Sequence, residues 1–307
     1  MSQYRSCAAK HRDCDRPAPA DSICATMDSM LSRRALLAGL GTAALPLRAR
    51  VGPVEIGVCG SIDDFEKAEQ YGFDYYEPGV AAVAALSEAA FADFARRVAK
   101  SRLRCECFNS FIRTLVVVGP AVDRDALTAY LNSALDRCRA LGATIVVWGS
   151  AGSRNVPEGF SRDRAREQIV SFLRMAGPIA RARNIVLAIE PLRKQESNII
   201  NTGAEAFRLV RDVGDPNVKM IIDYYHLAEE HEDPQILETA REAIVHLHFA
   251  NPAGRVWPKD TAEDPGYAPF FALLKKTGFR GGLSIEGRGT FEADAAASLE
   301  FFRKKLA

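Results

Sequence analysis

Four short apolar runs in the second half of the chain each end in a side chain that can hold a metal ion or move a proton. Val186-Leu187-Ala188-Ile189 ends in Glu190, Lys219-Met220-Ile221-Ile222 in Asp223, Ile244-Val245-His246-Leu247 in His248, and Gly282-Leu283-Ser284-Ile285 in Glu286. A run apolar on both faces is what a strand buried between two layers requires. A charge at its carboxyl end is not a packing residue unless something pairs with it. Three carboxylates gathered at one place repel, so some would stay protonated; a divalent cation removes the conflict. Three hard oxygens and one imidazole suit Mn2+, with Mg2+ or Co2+ as alternatives, better than they suit a sulfur-rich zinc site. We therefore expect one divalent ion held by Glu190, Asp223, His248 and Glu286.

Strand ends from four consecutive segments meet only if the strands all point the same way. Earlier in the chain, Pro53–Cys59, Phe73–Glu77, Leu103–Phe111 and Thr144–Trp148 also read as strands. Between the strands lie helices opened by Ser61, Ser87, Asp123, Ser161 and Thr202, residues whose side chains accept from exposed helix amides. Further helices are expected near Pro234–Arg241, over Tyr267–Thr277 and over Glu292–Lys305. Tyr71-Gly72-Phe73, Leu141-Gly142-Ala143 and Thr277-Gly278-Phe279 repeat one joint, a glycine helix stop just before a strand. Eight strand–helix alternations predict an α/β fold, a single-domain (β/α)8 barrel over residues 51–307. An open doubly wound sheet is the alternative, but Gly57-Val58-Cys59-Gly60-Ser61 does not match its glycine-rich phosphate turn.

With these residues in place, the chain from Pro53 onward resembles the xylose-isomerase-like TIM-barrel family of sugar isomerases and epimerases, and its ketose 3-epimerase branch most in mechanism. The resemblance assigns the metal quartet to Glu190, Asp223, His248 and Glu286. It puts substrate contacts at Glu196, six residues after the first ligand, at His226, three after the aspartate, and at Arg255, where the spacing is one residue longer than the family's. It implies proton transfer beside a carbonyl through a metal-stabilised enediolate, with Glu190 and Glu286 as base and acid. His226 and Arg255 would hold sugar oxygens, and Glu196 would orient a hydroxyl. His246, two before His248 on the same strand, reads as a supporting partner of the site.

Less specific candidates surround these. Glu77 ends the second strand and is expected to meet either substrate or loop amides. Asn109 and Arg113 follow the third strand, and Trp148 ends the fourth, where its ring either stacks on a sugar or, as a lone aromatic more often does, packs in the core. Trp257 and Lys259 lie on a long loop suited to a lid. Three function classes remain open: a sugar isomerase or epimerase, a lyase or dehydratase acting on an oxidised sugar or glycoside with the same site, and a barrel that binds without turnover. The intact quartet argues against the last. A DNA-repair endonuclease needs a larger His-rich site, and the chain has five histidines.

The rest of the composition sets bounds. The chain has 307 residues, 48% hydrophobic and 26% charged, with net charge +1. That is ample for a core and gives no reason to expect a nucleic-acid partner. The expected partner is a small carbohydrate, and a homo-oligomer is compatible. No apolar run reaches the ~18 residues of a membrane span. Seven cysteines without a CxxC pair read as buried thiols, Cys105 and Cys107 facing the same way on one strand. Residues 1–50 read as a leader: Ser32-Arg33-Arg34 precedes a Gly- and Ala-rich apolar stretch, the layout of a twin-arginine export signal, which would place the enzyme in the periplasm. Met27 or Met30 would then be the start.

Overall fold

Each apolar run becomes a strand, and each amphipathic stretch after it a helix. The structure is a computed structural model and describes residues 53–307; the leader and its arginine pair lie outside the described residues. The strands are β1 (Glu55–Gly60), β2 (Tyr75–Pro78), β3 (Cys107–Phe108), β4 (Ile145–Trp148), β5 (Val186–Ile189), β6 (Val218–Asp223), β7 (Ile244–Phe249) and β8 (Gly282–Ile285). All neighbours pair in parallel, in the order β2-β1-β8-β7-β6-β5-β4-β3. The remaining seam, between β2 and β3, is spanned by single bridges from Tyr75 to Arg104 and from Gly79 to Asn109. The result is a nearly closed (β/α)8 barrel.

The caps lie where the sequence puts them. Ser87, Asp123, Ser161 and Thr202 accept the amides of Ala90, Ala126, Arg164 and Glu205, opening helices Glu88–Lys100, Arg124–Ala140, Arg162–Arg181 and Gly203–Val213. The three joint glycines have φ of +84° at Gly72, +105° at Gly142 and +68° at Gly278, a region that side chains with a Cβ resist.

Three expectations change. The third strand keeps only two residues, and the chain before it runs as irregular backbone, so period-two alternation does not reach Cys105. Both thiols are buried, but Cys107 faces the barrel interior with Tyr75 and Val147, while Cys105 joins the core under the helices. The helix near Pro234–Arg241 shrinks to Ile236–Thr239. Short helices Val80–Ala84, Ala151–Arg154 and Tyr224–Glu229 appear directly after β2, β4 and β6, elements the sequence reading did not include.

Along each strand alternate residues point inward, and this decides what the barrel mouth contains. Tyr75 fills the interior because Gly57 and Gly282 flank it: a Cβ on either would lie 2.2 Å and 2.8 Å from the tyrosine. Two residues further toward the carboxyl ends, the inward positions are Glu77 on β2, Cys59 on β1, and the three acids and one imidazole of β5 to β8.

Candidate metal centre

Val186 and Ala188 point into the barrel, so the next inward position after β5 is Glu190. Ile221 does the same for Asp223. The alternation continues with His246 and His248 on β7, and with Ser284 and Glu286 at β8. One donor atom from each of Glu190, Asp223, His248 and Glu286 lies within 4.8 Å of every other. The first three are buried; Glu286 is partly open to solvent.

His248 is fully buried and held from both sides. Its Nδ1 faces the acids, 3.0 Å from Glu190 Oε1 and 3.5 Å from Glu286 Oε2, while Nε2 lies 2.9 Å from Glu77 Oε1. Glu77 does not reach the rim as expected. Its other oxygen lies 2.9 Å from His246 Nε2 and accepts the Ser284 hydroxyl at 2.5 Å, and Tyr75 Oη lies 2.8 Å from that hydroxyl. A carboxylate behind an imidazole fixes which nitrogen carries the proton and turns the other toward a metal. Glu77 is therefore part of the support beneath the site.

Two buried polar atoms in this region make no hydrogen bond among the described residues. Asp223 Oδ1 caps the Tyr224–Glu229 helix by accepting the Tyr225 amide, but buried Oδ2 has no hydrogen bond. His226 Nδ1 accepts the Arg193 amide at 3.2 Å, which places the ring proton on Nε2; that buried nitrogen also makes no hydrogen bond and faces Asp223 Oδ2 at 3.5 Å, with Arg255 Nη2 3.8 Å from the same oxygen. Orphaned buried polar atoms are costly and rare in folded proteins. Here they sit beside three acids and an imidazole, a donor set that fits a divalent cation with hard-oxygen preference.

Charge explains the rest of the arrangement. Burial raises the Glu190 carboxyl above its usual range, and the Glu286 charge adds to this against the opposing pull of His248. Asp223 is pushed up to about 8, by burial first and then by the charges of Glu286 and Glu190. Glu286 is also buried against its charge, yet His248 and Arg255 outweigh burial and bring it down to about 2. Burial opposes charge on His248, but Glu77 and the surrounding acids hold it well above the usual imidazole value. Burial and then Arg255 take His226 down to about 3, so it is neutral at pH 7.

The expected substrate residues gather at the same mouth. Arg255 donates to Glu286 Oε2 at 2.8 Å and to Glu196 Oε1 at 3.2 Å, and it covers the Tyr225 ring at 4.7 Å. Its φ of +52° is unusual for a residue with a side chain. Bridges from Asn251 to Val256 and from Val256 to Arg288 hold the turn in place. Glu196 also accepts from Arg193 Nε at 2.8 Å, and Asn109 Nδ2 reaches Glu286 Oε1 at 3.5 Å.

Others do not join them. Trp148 sits between inward Val147 and Gly149 and so points outward, where its ring packs on Phe172 and its indole N–H donates to Ser153; no face is left for a sugar. Arg113 is exposed. Trp257 is buried against Phe73 and Phe291, and its indole donates to the Gly287 carbonyl, so it anchors its loop rather than swinging as a lid. Lys259 pairs with Asp294. Sequence reading missed Arg154, Arg193 and Tyr225, which touch the site through the Glu190 carbonyl, Glu196 and Arg255. Arg193 lies in the charged loop between Glu190 and Glu196, a signal that could have found it.

Comparison with known proteins agrees with this architecture. The chain is 30% identical over 162 residues to 3-dehydro-D-guloside 4-epimerase of Escherichia coli, covering 51% of this chain and 61% of that protein. It is 28% identical over 208 residues to D-psicose 3-epimerase of Agrobacterium fabrum, covering 62% and 68%. The first match thus spans only about six tenths of the relative's length. The crystal structure of a 3-keto-D-glucoside 4-epimerase from E. coli superposes with a TM-score of 0.70 at 20% identity, over 82% of this chain and 99% of that one, which speaks for the fold. Residues 65–305 match the sequence profile of one family across nearly the whole barrel, and the chain belongs to it: the xylose isomerase-like TIM barrel family.

Proposed function

We propose that this protein is a divalent-metal-dependent sugar isomerase or epimerase that moves a proton at the carbon beside a carbonyl, with Mn2+ as the preferred ion. The observation that carries the reading is the quartet itself, four ligand atoms within 4.8 Å of one another with buried Asp223 Oδ2 making no hydrogen bond. Sugar epimerases among the relatives support the reaction class. Glu190, Asp223, Glu286 and Nδ1 of His248 would hold the ion, which when bound supplies Lewis-acid stabilisation of the charge that builds on the carbonyl oxygen.

The chain's own groups do the rest. Glu190 and Glu286 exchange the proton with the substrate carbon, one taking it and the other returning it, and their environments already push their proton affinities apart. Neutral His226 donates its Nε2 hydrogen to a sugar oxygen. Arg255 orients Glu286 through its 2.8 Å contact and presents its remaining donors to substrate hydroxyls. Glu196, fixed by Arg193 and Arg255, accepts from a hydroxyl.

Proton NMR of ketoses and a 3-keto-glycoside in D2O with Mn2+ tests this. Deuterium incorporation with isomer interconversion supports the proposal; no exchange in any substrate refutes it. A second reading, a lyase on an oxidised glycoside, uses the same site; the relative named for such a glycoside is itself an epimerase and supports only the substrate class. In such a substrate, carbanion formation beside the ketone can expel a group attached β to it, and fragmentation in the same spectra would identify that outcome. We further propose export by the twin-arginine route on the strength of Arg33-Arg34; replacing both with lysine should retain the protein in the cytoplasmic fraction.

A further inference from the structure

We propose that Arg154 is a positioning residue that seats Glu190, and through it the cation, by clamping the ends of β4 and β5 with its guanidinium fork. The inference rests on the metal-centre reading above and adds a residue outside the quartet.

Arg154 is fully buried, yet among the described residues no carboxylate lies within ion-pair distance of it; the Glu190 charge acts on it only from farther off. Buried arginines normally have such a partner, because removing the charge from water is expensive. Here Nη1 donates to the Trp148 carbonyl at 2.7 Å and Nη2 to the Glu190 carbonyl at 2.6 Å, while Nε has no partner. The guanidinium carbon lies 5.3 Å from the Trp148 ring centre. A packed apolar side chain would fill the space without that desolvation cost. What it would not do is hold two carbonyls at a fixed separation.

Those two carbonyls lie where the sheet stops. The last paired residues of β4 and β5 are Trp148 and Ile189, and beyond them a single 3.3 Å bond joins the Glu190 amide to the Trp148 carbonyl. Glu190 is thus one step past the ladder, and Arg154 supplies the next crosslink. Gly149 makes the complementary provision: a Cβ there would lie 1.7 Å from Glu190 Oε2, so the carboxylate lies across a position that carries no side chain. One residue clears the space that the Glu190 side chain occupies, and the other fixes its backbone. Lysine cannot replace the fork, because one ammonium on a flexible stem does not present two donors in a fixed plane.

The test is Mn2+ titration calorimetry on chelator-stripped full chain, comparing wild type with Arg154→Met, Arg154→Lys and Trp148→Phe. We expect Arg154→Met to weaken Mn2+ binding about 10- to 100-fold, the range for losing a support behind a ligand, and Arg154→Lys to weaken it by about tenfold. Trp148→Phe removes the packing partner and the bond to Ser153 but spares the fork, and should stay within about twofold of wild type. Wild-type affinity in Arg154→Lys overturns the proposal, as does an equal loss in Trp148→Phe, which would make the effect general packing. If Arg154→Met does not fold, the lysine and phenylalanine variants still decide. A wild type that binds no Mn2+ overturns the metal-centre reading and this inference together, whereas unaffected Arg154 variants overturn this inference alone.

Discussion

Glu77 and His248 face each other across 171 positions of sequence, and their contact decides how the imidazole can serve. Because Nε2 is committed to Glu77, Nδ1 is the nitrogen that faces Glu190 and Glu286 and that the proposed cation would meet. Replacing Glu77 by Gln keeps the shape but removes the charge behind two histidines. We expect Mn2+ affinity, read by calorimetry, to fall about 10- to 100-fold, with circular dichroism unchanged. Glu286→Gln removes a ligand directly, and metal analysis of the purified variant should find no bound divalent ion. The four residues that converge at the mouth were legible as a cluster because each is a charge ending an apolar run, a conflict that local sequence displays. Glu77 ends its strand in the same way, yet its partners were not legible, since nothing in Tyr75-Tyr76-Glu77-Pro78 shows that two imidazoles from β7 arrive opposite it. Arg154 was missed for the same reason: it sits in a polar segment, Gly149-Ser150-Ala151-Gly152-Ser153-Arg154, that reads as a solvated loop, and only the folded barrel brings the Glu190 carbonyl to it.

Strand ends, the next scale up, place functional groups through period-two alternation, and errors of reading arose where the strand was shorter than its apolar text. Trp148 was a candidate for the mouth because it ends β4, weighed against a place in the core; Val147 points inward, its neighbour must point outward, and the core reading holds. Cys105 was assigned to the interior with Cys107 because nine residues, Leu103–Phe111, looked extended, whereas the ladder contains two. The short helices after β2, β4 and β6 carry too few residues to show a helical period at all. Gly149 illustrates what this geometry demands of an element. Adding a methyl there puts a Cβ 1.7 Å from Glu190 Oε2, and the carboxylate must turn away. Gly149→Ala should therefore abolish tight Mn2+ binding while costing about 1–3 kcal/mol of stability in urea titration, the range for overpacking a closed site. Retained affinity would mean that Glu190 reaches the ion by another rotamer.

At the scale of the whole barrel, the site gathers like charges whose repulsion the proposed cation would relieve, and pH sets how much. Asp223 titrates at about 8 in the fold against 3.8 ordinarily, and His248 is held well above 6.5. Both groups bind protons more tightly folded than unfolded. Their contribution is fully present below the unfolded values and is lost as pH rises through the folded ones, so between pH 6.5 and 8 the metal-free barrel loses stability. His226, pulled down to about 3, is neutral in both states across that window, and Glu286, near 2, is ionised in both; neither changes the sign. A cation requires Asp223 ionised and His248 Nδ1 free, so it competes with these protons and binds better as pH rises. Mn2+ at about 100 times its Kd should add about 2.7 kcal/mol, raising Tm by roughly 5–10 °C for a barrel of this size. Calorimetric melts with Mn2+ and with chelator should therefore differ more at pH 8 than at pH 6.5, the metal-free curve falling while the loaded curve holds. An increment that stays constant across that range, or shrinks toward pH 8, would mean that the cation does not displace protons from Asp223 and His248, and the ligand set would have to be drawn elsewhere on the mouth.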